Sequence, residues 1–175
     1  MIIQVSEIMN IPEGVKSYKF PLEAKTFAIN GCEYEVSQKD DVTVRLTNLG
    51  SKKILVEVKT NLTLVVPCDR CLEDVIVPIE IDTAKEIDFS ISEEQRAEDL
   101  DETSYVTGYD LDVDQLIYEE VLIGFPMKVL CSEECKGICK VCGANLNKGE
   151  CGCDRTELDP RMSAIRDIFN NFKEV

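Results

Sequence analysis

The chain contains no histidine and no tryptophan, and aromatic residues supply only 6% of its 175 positions. Without histidine there is no Cys-His or Ser-His nucleophile pair. Carboxylates remain as candidate acids and bases, at Asp40-Asp41, Glu93-Glu94, Asp99 with Asp101, and Glu119-Glu120. Such pairs arise without purpose in a chain this acidic, so the expectation is a protein that is not an enzyme. Long apolar runs are also missing, and no stretch is long enough to span a bilayer. The opening residues, Met1-Ile-Ile-Gln-Val-Ser-Glu, carry neither a basic segment nor an apolar signal stretch, which predicts a cytoplasmic location.

Positive charge is scarce too, with 19 Lys and Arg against 34 Asp and Glu and a net charge of -15. The imbalance is local. Through Pro126 there are 11 bases against 26 acids, whereas Met127 to Val175 is balanced at 8 against 8. An exterior that negative repels a phosphate backbone, so bare RNA is a poor main partner and a basic protein a good one. Basic side chains cluster near the C-terminal cysteines, at Lys128, Lys136, Lys140, Lys148, Arg155, Arg161 and Arg166. They read first as solubilising charges and second as a small RNA contact.

What the chain does have is cysteine, nine in all. Six lie in one segment, Cys131-Ser-Glu-Glu-Cys135-Lys-Gly-Ile-Cys139-Lys-Val-Cys142-Gly143 followed by Cys151-Gly-Cys153. An upstream pair, Cys68-Asp-Arg-Cys71, brings the closely spaced cysteines to eight, enough for two tetrahedral sites, and Cys32 is left over. A Cys-x-x-Cys turn aims both sulfurs at one point. Gly143 and Gly152 relieve crowding in the C-terminal turns. Cys139, Cys142, Cys151 and Cys153 are read as one site and Cys68, Cys71, Cys131 and Cys135 as a second, which predicts one or two structural zinc ions. The odd count and the expected reducing cytosol argue against disulfides. An iron-sulfur cluster is the minor metal alternative. A thioredoxin-type redox pair is disfavoured because Cys71-Leu-Glu-Asp-Val-Ile-Val-Pro reads on as a strand rather than entering a helix.

Hydrophobic alternation with period two marks strands at Val42–Leu49 and from Ile54 to Val66, continuing through Val75–Ile81 toward Ile87–Ile91. Cys68 to Cys71 then lies at the bend between two long antiparallel strands. Val15–Leu22 and Phe27–Val36 add strands, the latter broken by an Asn30-Gly31 turn. Glu93 to Thr103 holds six acids and one base and reads as a loop. Residues 112–124 form an amphipathic helix with acids in its first turn, and Asp159-Pro160 opens a second one carrying Met162, Ile165, Ile168, Phe169 and Phe172. The fold class is therefore α+β, a mainly antiparallel β-sheet with an amphipathic helix, a cysteine-rich zinc-ribbon segment and a C-terminal helix. Residues 1–126 are expected to form the acidic β-rich domain, 127–159 the ribbon-like segment, and 160–175 a helix packed on the body.

Several of these stretches together are similar to one family. Cys68-Asp-Arg-Cys71-Leu72-Glu73 after a strand pair, Glu119-Glu120-Val-Leu-Ile-Gly-Phe-Pro126-Met, Cys139-Lys-Val-Cys142-Gly-Ala-Asn-Leu-Asn147 with Cys151-Gly-Cys153, and Leu158-Asp-Pro-Arg161-Met-Ser-Ala-Ile-Arg-Asp-Ile-Phe169 occur in that order. The chain resembles the YceD family of large ribosomal RNA subunit accumulation proteins, in a form with an added C-terminal zinc ribbon. The resemblance implies a bacterial ribosome-biogenesis factor needed for accumulation or processing of large-subunit ribosomal RNA, with no catalytic residue. Two readings follow. In the first, the acidic surface holds a basic ribosomal protein or a large-subunit assembly intermediate; in the second, the ribbon touches ribosomal RNA through Lys136, Lys140, Arg155 and Arg161. A metal-dependent ribosomal RNA nuclease is a third, weaker reading.

Overall fold

The computed structural model describes residues 1–91 and 104–153. The acidic stretch 93–103 and the helix expected from Pro160 onward, with Arg155, Arg161 and Arg166, lie outside the described residues. The chain divides into two compact units. Unit 1 comprises Met1–Val66 and Asp74–Val129; unit 2 comprises Pro67–Glu73 and Leu130–Val175.

Unit 1 is built on β-strands whose inward positions are aliphatic. β1 is Ile2–Gln4, and a short helix α1, Ser6–Met9, follows it. Then come β2 (Val15–Pro21), β3 (Thr26–Ile29), β4 (Cys32–Lys39), β5 (Asp41–Gly50), β6 (Lys53–Pro67) and β7 (Asp74–Asp88). β8 (Val106–Thr107), β9 (Asp110–Asp112) and helix α2 (Val113–Gly124) complete it. Along β6 the even positions Ile54, Val56, Val58, Leu62, Leu64 and Val66 are buried, and β5 matches them with Val42, Val44 and Leu46. Each such side chain contributes about 1.5–3 kcal/mol by leaving water, which fixes the face that β5 and β6 turn inward.

The main sheet runs β2-β5-β6-β4-β3, with β7 also paired to β6. One edge of β6 changes partner halfway along. Lys59 to Ile54 pair with Thr43 to Asn48 of β5, and Leu62 to Val65 pair with Lys39 to Glu35 of β4. Ion pairs follow β6 and β7 in opposite chain directions, Lys59 with Asp82 at 2.8 Å and Lys53 with Glu86 at 2.7 Å, as an antiparallel pair requires. Asn30 and Gly31, at φ 52 and φ 81, close the β3–β4 hairpin over the Ile29↔Cys32 pair. Glycine and asparagine tolerate that left-handed conformation, which is why the dipeptide reads as a turn.

The sequence gives little sign of the smaller sheet, β1-β9-β8, whose strands are only two or three residues long. It pairs Ile3 with Leu111, and the Met1 amine forms an ion pair with Asp114. Asp112 caps α2, its carboxylate accepting from the backbone N–H groups of Asp114 at 3.1 Å and Gln115 at 3.2 Å. Val113, Leu116, Ile117 and Val121 form the buried stripe of α2, which packs on β7. Phe125 stacks on Tyr34 at 5.3 Å between ring centres, and the Tyr118 hydroxyl donates to the Ala28 carbonyl at 2.7 Å, so α2 is also tied to β3 and β4.

Two inward positions are polar, Thr60 on β6 and Asn48 on β5. Asn48 stands at the end of the buried row of β5, and its Nδ2 donates to the carbonyls of Ile8 at 3.0 Å, Met9 at 3.1 Å and Ile11 at 2.8 Å. Its Oδ1 accepts from Gly50 N–H at 2.9 Å. The side chain thus satisfies carbonyls at and beyond the C-terminal end of α1, a helix too short to be stable alone.

Candidate metal centre

Unit 2 gathers eight cysteines into two groups. The sulfurs of Cys68, Cys71, Cys131 and Cys135 all lie within 4.8 Å of one another, as do those of Cys139, Cys142, Cys151 and Cys153. Cys32 begins β4 in unit 1, is exposed, and belongs to neither group. In the first group Cys68 and Cys135 are 3.9 Å apart and Cys71 and Cys131 are 3.5 Å apart. A tetrahedron with metal-sulfur bonds of about 2.3 Å has edges of about 3.8 Å, whereas a disulfide needs about 2.05 Å. The spacing fits four thiolates around one ion, and all nine cysteines are free.

Both Cys-x-x-Cys turns use one hydrogen-bond frame. Cys68 N–H donates to Glu73 O at 2.8 Å and Leu72 N–H to Cys68 O at 2.9 Å; Cys139 N–H donates to Ala144 O at 2.8 Å and Gly143 N–H to Cys139 O at 2.8 Å. The residue after the second cysteine is left-handed in each, Gly143 at φ 74 and Leu72 at φ 62. Glycine takes this conformation freely and leucine does not. Here the structure differs from the sequence reading, because Leu72 turns the chain and β7 begins only at Asp74.

The segment after the second pair closes on the first turn. Arg70 donates from its guanidinium to Cys135 O at 2.9 Å, and its own carbonyl accepts from Ile138 N–H at 3.1 Å. Gly137, at φ 77, allows this approach, since a Cβ there would lie 3.0 Å from the Arg70 carbonyl oxygen. Lys148 meets Glu73 at 2.6 Å. Lys136 and Lys140 are exposed.

Donors also reach the sulfurs. Cys131 N–H points at Cys68 Sγ at 3.3 Å, and the Asn147 amide donates to Cys135 Sγ at 3.2 Å. Burial pushes the Cys68 thiol up, but the backbone N–H groups of Arg70, Cys131 and Cys71 together outweigh it and bring it down to about 6. Cys135 is lowered chiefly by Asn147. In the second group the backbone N–H groups of Cys142 and Val141, helped by the Cys151 thiol, lower Cys139 to about 6. Glu73 N–H favours the Cys71 thiolate, yet burial and the thiols of Cys131, Cys68 and Cys135 together push it up to about 12. The Cys142 and Cys151 thiols do the same to Cys153, also to about 12. Each group therefore yields a first thiolate readily and resists the last, the behaviour of a thiol cluster that a cation would complete.

Gly137, Arg70 and Asn147 are the residues that spacing arguments pass over. Asn147 lies among the residues that carry the family resemblance, but nothing local says that its amide turns toward Cys135.

Compared with known proteins, residues 56–169 match the family described as Large ribosomal RNA subunit accumulation protein YceD. The chain is 31% identical over 65 residues to Large ribosomal RNA subunit accumulation protein YCED homolog 1, chloroplastic, of Arabidopsis thaliana, a stretch covering 37% of this chain and 20% of that protein. It is 28% identical over 128 residues to the uncharacterized protein YlbN of Bacillus subtilis, covering 73% of each. An uncharacterized protein of Mycobacterium tuberculosis is 26% identical over 129 residues, covering 74% of this chain and 61% of that one. No solved structure matches. The matched span begins within β6, takes in both cysteine groups, and covers well over half of the sequence. The chain belongs to the YceD family of large ribosomal RNA subunit accumulation proteins.

Proposed function

We propose that this protein is a non-catalytic, cytoplasmic ribosome-biogenesis factor that supports accumulation of large-subunit ribosomal RNA by holding a basic ribosomal protein or an assembly intermediate that displays one. The observation that carries the reading is the placement of charge. All the excess acid lies in residues 1–126, and β4 and β7 present Glu33, Glu35 and Glu80 as exposed carboxylates without an ion pair among the described residues. Such a surface attracts a Lys- and Arg-rich protein over about 8–10 Å at physiological salt and repels naked RNA. Shielding a basic protein until its RNA site is ready would spare nascent RNA from misassembly and decay. The names of the family and of the Arabidopsis relative support the same process.

Both cysteine groups serve this reading as scaffold. An all-thiolate donor set with no histidine suits zinc, which supplies charge and a crosslink without redox chemistry. Cys68 and Cys71 would hold one ion with Cys131 and Cys135, and Cys139 and Cys142 the other with Cys151 and Cys153. The first site would staple residues 60 apart, as Cys71 and Cys131 are, so its binding free energy becomes folding free energy.

The test is capture from cell extract at rising salt with the native chain and with Glu33→Lys, Glu35→Lys and Glu80→Lys combined. A basic ribosomal protein retained by the native chain at low salt, released as salt rises, and lost with the variant supports the reading. No such partner at any salt refutes it. Retention of purified ribosomal RNA that depends on Lys136 and Lys140 would instead make the ribbon an RNA-binding module.

A further inference from the structure

The segment that closes one cysteine group also completes the other. Residues 143–150 lie between Cys142 and Cys151, two members of the second group. From this segment Asn147 reaches back to the first. Its Nδ2 donates to Cys135 Sγ at 3.2 Å while its Oδ1 accepts from Lys136 N–H at 2.7 Å, so the amide is held at both ends. Lys148, one residue on, holds Glu73 of the first turn at 2.6 Å. Leu146 N–H donates to Gly137 O at 2.9 Å, and Asn145 pairs with Ile138 as an isolated antiparallel bridge. Besides the short link Cys135-Lys-Gly-Ile-Cys139 and the bond from Ile138 N–H to Arg70 O, these contacts tie the two groups together.

We propose that the two sites load and empty their metal as one cooperative unit, with Asn147 the positioning residue that couples the Cys139, Cys142, Cys151 and Cys153 site to the Cys135 thiolate of the other. The inference rests on reading both groups as metal sites. An ion in the second group ties Cys142 to Cys151 and so fixes both ends of the segment carrying Asn147. The entropy of ordering that amide is then already spent, and the first site receives its N–H···S donor at no further cost. Four thiolates around a divalent cation leave two negative charges in excess, so a donor aimed at one sulfur counts. Loss of a partner to a metal ligand typically weakens binding by 10- to 100-fold. Linkage makes the effect mutual: the first site, by holding Asn147 through Cys135 and Lys148 through Glu73, favours closure of the second.

The experiment measures zinc per chain by elemental analysis and follows zinc release to an excess of a chromogenic chelator, using the full chain. The native protein is expected to carry two zinc ions and lose them in a single phase. Cys142→Ser should leave the first site alone and release its ion about 10-fold faster than the native chain does. Asn147→Ala and Asn147→Asp should both keep two ions but split release into two phases, the first site emptying about 10-fold faster. The aspartate keeps the acceptor for Lys136 N–H but puts a negative charge where the donor to sulfur was, so it should release the first ion at least as fast as Asn147→Ala, whereas a role confined to holding Lys136 N–H predicts a change in Asn147→Ala alone. If Cys142→Ser does not fold, the two Asn147 variants carry the test. Two ions leaving the native chain independently, with rates unchanged by both Asn147 variants, overturn the coupling alone. A native chain without zinc overturns the metal reading and the coupling with it.

Discussion

Gly137→Ala should loosen the cysteine-rich unit far more than a one-carbon change suggests. Two costs add. A residue with a Cβ at φ 77 costs about 1–2 kcal/mol relative to glycine. The new carbon would also lie 3.0 Å from the Arg70 carbonyl oxygen, backbone that cannot swing away, so the 3.1 Å bond from Ile138 N–H to that oxygen must lengthen at a further cost of about 0.5–1.5 kcal/mol. The sum, roughly 1.5–3.5 kcal/mol, is a roughly 10- to 400-fold rise in the open population. Amide hydrogen exchange at Cys139, which donates to Ala144 O at 2.8 Å, reads that opening directly. Gly143→Ala is the control, with nearly the same φ of 74 but nothing within 4 Å of its Cβ, and should lose only the conformational part. Leu72→Gly should do the reverse, gaining about 0.5–1 kcal/mol because leucine holds the left-handed position there. Equal loss of protection in Gly137→Ala and Gly143→Ala would refute the claim that close approach to Arg70 is what requires glycine.

Other expected outcomes follow from single contacts. Asn48→Ala removes a donor from three carbonyls at and beyond the end of α1, two of which, Ile8 O and Ile11 O, keep the backbone N–H groups of Ile11 and Gly14, and should destabilise unit 1 by about 1–3 kcal/mol, seen as a lowered thermal midpoint with early exchange across residues 1–14; an unchanged midpoint counts against the network. Cys68→Ser should remove one of two zinc ions by elemental analysis, and an unaltered zinc content would show that the upstream pair holds none. The hydrogen bond from Lys16 and its charge hold Glu7 below the ordinary carboxylate range. That small stabilisation is therefore present above the unfolded carboxylate pKa and fades as pH falls through the lowered Glu7 value; an NMR titration should show Glu7 returning upward in Lys16→Gln.

The long strands were legible because burial on one face forces a period of two: Val42 to Leu46 and Ile54 to Val66 alternate without interruption apart from Thr60, and Thr60 itself is buried. The helix was legible through Asp112 and the spacing of Val113, Leu116, Ile117 and Val121. Ile2–Gln4 and Asp110–Asp112 carry too few residues to show any period, so their sheet depends on contacts more than a hundred positions apart. Spacing places the sulfurs of each Cys-x-x-Cys on one side of a turn. It says nothing of Asn48, whose partners lie 37 to 40 residues away, or of Asn147, which differs from a surface asparagine only in where a distant turn brings Cys135. Leu72 is the instructive miss, because its apolar side chain suggests a strand while the turn frame shared with Gly143 sets its φ.

Unit 2 is drawn from two separate lengths of chain, and that division bears on its biosynthesis. Cys68 and Cys71 leave the ribosome long before Cys131 and Cys135, which stand 60 or more residues further along. At about 5–20 residues per second, the early thiols wait roughly 3–12 s in the nascent polypeptide without the two sulfurs that complete their group. For that interval they lack the neighbours that bury them in unit 2, and shortening the chain before residue 131 leaves them in that condition permanently.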